Sequence, residues 1–131
     1  MRLIVLLLLF IPFAASAQPG GKMPRLCMLV FGSADKAPAI FEPFLNGLRD
    51  LGYVDKKNIL LDIRGADSVG ERFPVLAKEC VAGRSDVIVV TTTPAAQAAK
   101  QATSTIPIVM HPLGDPVGTG LVRSLASPGG L

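Results

Sequence analysis

Thr91-Thr92-Thr93-Pro94 gathers three hydroxyls ahead of a proline suited to the first position of a helix. With Thr93 as N-cap, the amides that follow and the positive helix end would hold a carboxylate. The same residues also make an ordinary capped helix, and either role is compatible with them. Gly114-Asp115-Pro116 repeats the arrangement, with Asp115 serving as a cap or as a carboxylate for a ligand ammonium. Thr91, Thr92, Thr93 and Asp115 together would match the two ends of an amino-acid zwitterion.

Other polar candidates are sparser. His111 is the only histidine and has no Cys, Asp or Glu at ligand spacing, so it is expected to line a pocket and no metal is expected. Ser33 and Asp35 follow the first apolar run and serve either a binding loop or an ordinary turn. Arg64 closes a strand, where an ion-paired or solvated arginine is the common case. No phosphate loop with a lysine, no GxGxxG and no GxSxG elbow occurs, and Asp67 and Glu71 lack a nucleophile to serve. Binding without catalytic residues or a cofactor is therefore expected.

These residues need elements to carry them. Residues 25–31 form a continuous apolar run, as a strand buried on both faces requires. Residues 38–51 have helical spacing, with Ile40, Phe41, Phe44, Leu45, Leu48 and Leu51 on one side, and Gly52 follows as a left-handed C-cap. Pro43 is expected to kink that helix or delay its start. Strands are expected at 59–63, 86–90 and 106–110, and helices at 68–82, 94–102 and 116–125. The order βαβαβαβα calls for an α/β fold, a parallel sheet with helices on both faces. In such sheets ligands bind beyond the carboxyl ends of the strands, which here are residues 32–36, 64–67, 91–94 and 111–118.

Cys27 falls within the first strand and Cys80 on the inward face of the second helix. In a flavodoxin-like strand order of 2-1-3 that helix crosses the first strand, and the thiols could meet. Two buried, unbonded cysteines fit the same pattern.

At the N-terminus Arg2, the apolar residues 3–13 and Ala15-Ser16-Ala17 have the three parts of a cleavable secretory signal. The apolar core falls short of the ~20 residues of a membrane span. Small residues are missing ahead of Cys27, so no lipid anchor is expected. Residues 1–17 are thus expected to be a signal peptide, 18–24 a linker, and 25–131 one periplasmic domain without membrane insertion. Losing Arg2 reduces the 13 Lys and Arg by one against 10 Asp and Glu, and no basic run argues for a nucleic-acid partner.

Three segments carry a family resemblance. Phe44-Leu-Asn-Gly-Leu-Arg-Asp-Leu-Gly-Tyr-Val54 with Asn58-Ile59 resembles the first helix and turn of a group of solute-binding proteins of ABC importers. Thr93-Pro-Ala-Ala-Gln-Ala-Ala-Lys-Gln-Ala-Thr-Ser-Thr-Ile-Pro-Ile-Val109 is similar to their third helix and fourth strand. Gly114-Asp-Pro-Val-Gly-Thr-Gly-Leu-Val122, followed by Ser124-Leu-Ala-Ser-Pro-Gly-Gly130, resembles the stretch closing their first lobe. The resemblance implies a type I periplasmic binding protein that clamps a small solute, such as an amino acid, and delivers it to an inner-membrane ABC permease. Residues 32–35, 91–93 and 111–115 match the cleft loops, although a small apolar residue is commoner in the family where His111 stands. Family members continue past the point matching residue 131, so the expectation is an N-terminal lobe with the second lobe absent and weak binding. The rivals are a small exported α/β enzyme and a truncated gene product without activity.

Overall fold

The computed structural model describes residues 22–111. The signal segment, Asp115 and the helix expected at 116–125 lie outside the described residues.

The apolar run at the start of the domain forms β1 (Arg25–Val30), buried from Leu26 onward. It lies inside a four-stranded parallel sheet with β2 (Leu60–Gly65), β3 (Val87–Val90) and β4 (Ile108–Met110), in the order β2-β1-β3-β4. Successive side chains of a strand point to opposite faces. Cys27 and Leu29 accordingly enter one core with Phe73, Ala77, Ile88 and Val90. Leu26, Met28 and Val30 enter the other with Ala37, Ile59 and Val89. The expected α/β architecture, a parallel sheet covered on both faces, is the one observed.

The helix expected over residues 38–51 is two helices, α1 (Ala37–Ile40) and α2 (Glu42–Asp50), with Phe41 between them at φ −101° and ψ 19°. Pro43 explains the break, because it has no N–H for the Ala39 carbonyl. Phe44, Leu45 and Leu48 are half-buried and Leu51 is 76% exposed, so this face is shallower than its spacing implies. Gly52 ends α2 as expected. At φ +91° it donates to Arg49 while Tyr53 donates to Leu48, closing the last turn.

The second long helix also starts later than expected. Ser68 has φ +64° and cannot begin a helix, so a short 3-10 turn at Gly70–Arg72 leads into α3 (Phe73–Ala82). Because β1 sits between β2 and β3, α3 crosses β1, and Cys27 is disulfide-bonded to Cys80 with Cα atoms 5.9 Å apart. Both residues are fully buried. The alanine-rich helix, α4 (Thr93–Ala102), buries Ala95, Ala96, Ala98 and Ala99, and these small side chains let it lie close to α3 and β3.

Candidate functional site

A cavity of about 370 Å³ opens where β1 and β3 end. Its polar wall is Gly32, Ser33, Thr91 and Thr92, and its apolar wall is Val30, Ala37 and the rings of Phe31 and Phe41. The cavity therefore lies where a parallel α/β sheet places a ligand.

Thr91 ends β3 with its hydroxyl donating to the Leu29 carbonyl at 2.9 Å, which ties the two strand ends together. Its proton is committed there, so toward a ligand this oxygen can only accept. Thr92, and not Thr93, is the N-cap of α4. Its backbone is extended and its Oγ1 accepts from the Ala95 amide at 3.3 Å. The expectation for Thr93 fails by one position because Pro94 occupies the second helical position, where proline is equally tolerated. Thr93 is the first residue of the helix, half-buried and outside the cavity wall. The cap itself contributes about 1 kcal/mol.

Ser33 lies in the loop after β1, where its carbonyl accepts from Lys36. Asp35 is exposed in the same connection and stands outside the cavity wall. His111 follows β4 and donates its amide to Val90 at 2.9 Å. Its half-buried ring meets Phe41 edge-on at 5.2 Å and Phe44 at 6.5 Å. Through Phe41 the imidazole braces the apolar wall, an arrangement that favours edge-to-face contact. The structure thus gathers Ser33, Thr91 and Thr92 at one opening, with His111 behind it.

Two wall residues carry no site signal in the sequence, where Phe31 reads as the end of a strand and Phe41 as part of a helix face. Phe31 is 46% exposed despite following a strand buried from Leu26 onward, and this exposure becomes visible only once the strand is seen to stop at Val30. Arg64 points elsewhere, bound by Asp62 at 3.0 Å and by Glu79 of α3. Partial burial opposes its charge, but hydrogen bonds and attraction from both carboxylates outweigh this and raise its pKa above the ordinary range. Among the described residues, no group of three His, Cys, Asp or Glu could hold a metal ion, and no helix is long and apolar enough to cross a membrane. A second cavity, about 330 Å³, lies between α2 and β2 and is lined by residues such as Leu45, Leu48 and Leu61, away from the three strand ends just described.

Residues 26–131 match the family model for ABC transporter substrate binding proteins. A tyrosine-binding protein of Clostridioides difficile is 42% identical over 98 residues, which are 75% of this chain and 28% of that protein. A conserved domain protein of Vibrio cholerae has a similar structure, with a TM-score of 0.75 and 34% identity, covering 83% of this chain and 37% of that one. A Streptococcus pneumoniae ABC domain in complex with L-Trp gives a TM-score of 0.74 at 30% identity, with coverage of 83% and 37%. The ligand-free, open form of a substrate-binding protein with adhesive properties from Clostridium difficile gives 0.75 at 30%, with coverage of 82% and 37%. The chain thus spans 28% of the length of that curated relative. With its fold, its cavity at the strand ends and a matching model over most of its length, the chain belongs to the family of ABC transporter substrate-binding proteins, which bind solutes without chemistry.

Proposed function

We propose that residues 25–131 form one lobe of an extracytoplasmic solute-binding protein for an ABC importer, and that its crevice takes an aromatic amino acid. The observation carrying this reading is the cavity at the ends of β1 and β3, where hydroxyl-bearing residues face two phenylalanine rings. The ligand carboxylate lies at the start of α4. There Ala95 is occupied by Thr92 and Pro94 has no N–H, which leaves the Thr93 amide, just outside the cavity wall, as the donor for it. Ser33 and Thr91 flank the site and the ligand's side chain lies along Phe31 and Phe41, which His111 backs; the ammonium is assigned to Asp115, which lies outside the described residues. Two relatives support the ligand class, one named as tyrosine-binding and one in complex with L-Trp. The loaded lobe is then presented to a membrane permease.

Export fits the same reading. Residues 1–17 act as a cleaved signal and residues 18–24 as a linker, and the Cys27–Cys80 disulfide belongs to an oxidising compartment such as the periplasm.

A thermal-shift assay tests the binding. A ligand present at about ten times its Kd stabilises the native state by about 1.4 kcal/mol, so L-tryptophan should raise the Tm while glycine at the same concentration does not. In the double variant Thr92→Ala, Asp115→Ala that rise should vanish. An unchanged response in the double variant would remove these residues from the site, and no response to any amino acid in the native chain would contradict the ligand class.

A further inference from the structure

Three residues of the cavity wall, Phe31, Gly32 and Ser33, belong to a loop without regular structure of its own. The turn after β2 holds this loop from behind. Ala66 donates to the Val30 carbonyl at 2.9 Å, Asp67 to Gly32 at 3.2 Å and Ser68 to Phe31 at 2.7 Å. Three successive carbonyls, of Val30 at the end of β1 and of Phe31 and Gly32 in the loop, are therefore fixed by three successive amides of the turn. This pairing requires left-handed backbone at two adjacent residues, Asp67 at φ +50° and Ser68 at φ +64°. Such a conformation is disfavoured for side chains in general, although Asp tolerates it better than most. It persists where the surroundings over-determine it, and such places concentrate at functional sites. Here Arg72 supplies a lock by donating to the Asp67 carboxylate at 2.7 Å.

We infer that the Ala66–Ser68 turn, locked by Arg72, is a positioning element for the solute site: it sets the Phe31–Ser33 wall, and with it ligand affinity, without lining the cavity. The inference rests on the proposed binding role, although the loop geometry can be tested apart from it. None of Ala66, Asp67, Ser68 and Arg72 lines the cavity, so their effect on binding must pass through the loop.

Amide exchange and L-tryptophan titration, followed by NMR on the intact chain, test this. Asp67→Ala removes both the lock and a side chain that tolerates left-handed backbone. The Ser68 amide should then exchange about tenfold faster, in keeping with a local opening. The L-tryptophan Kd should rise about fivefold, on the scale of remote effects on a binding site. Asp67→Asn keeps the tolerance and an acceptor for Arg72, and should stay within about twofold of the native chain in both readouts. Ile59→Val, just ahead of β2 and buried in the other core, lowers stability while leaving Ser68 exchange and Kd as they were, which separates positioning from general destabilisation. Asp67→Ala with native Ser68 exchange would overturn the inference, and so would faster exchange with an unchanged Kd. If the native chain takes up no L-tryptophan, the solute reading falls, and Ser68 exchange alone decides whether the turn fixes the loop.

Discussion

Replacing Cys27 and Cys80 together with alanine should lower stability by about 4 kcal/mol, the chain-entropy value for a bridge spanning 53 residues. For a domain of this size that corresponds to a fall in Tm of about 20 °C. The bridge ties the central strand β1 to α3, so its loss frees more than half of the described chain in the unfolded state. Both cysteines are completely buried, so a mild reductant should leave the folded protein intact and act only as it unfolds. Thermal melts of the native and doubly substituted chains check the first expectation, and thiol labelling with and without denaturant checks the second. A Tm within about 5 °C of the native value would mean that the bridge adds little to a core already sufficient by itself.

Gly65→Ala is the second large effect. A Cβ at Gly65 would lie 2.5 Å from both the Ala34 nitrogen and the Gly32 oxygen, closer than real Cβ contacts come. Both atoms are backbone, so no side chain can swing aside, and the binding loop must move. We expect a cost of about 3 kcal/mol, at the upper end of overpacking. Chemical-shift changes should centre on residues 32–34. Gly32→Ala is the matched control, because a Cβ there meets nothing within 4 Å. It should change stability little. Equal losses for the two variants would show that glycine flexibility, and not the close approach of β2 to the loop, is what matters.

The parallel architecture could be read from the sequence because the central strands β1 and β3 are largely apolar runs and each helix is punctuated by Gly or Pro. Local competition was harder to read. Pro43 announces the break at Phe41, whereas nothing in the residue pattern announces the left-handed Ser68 that delays the next helix. Neither event changes hydrophobic spacing, so periodicity is blind to both. The shift of the cap from Thr93 to Thr92 has the same origin, since Pro94 is tolerated at either of the first two helical positions. The Cys27–Cys80 bond depended on strand order, and the adjacency of Gly65 and Ala34 on strand packing, neither of which local patterns encode. At the site, hydroxyls following strands stood out in the sequence. The aromatic wall did not, because Phe31 and Phe41 look like core residues until the loop ends are placed.

The central claim is that the carboxyl ends of β1 and β3 hold an amino acid. Its most direct test is titration of the isotopically labelled chain with L-tyrosine and L-tryptophan, with each perturbed amide mapped onto the fold. Saturable shifts are predicted at Ser33, Thr91, Thr92 and Thr93, with a Kd of roughly 1 mM, or about 4 kcal/mol. Shifts confined to the cavity between α2 and β2, around Leu45 and Leu48, or no saturable shifts at all, would contradict it.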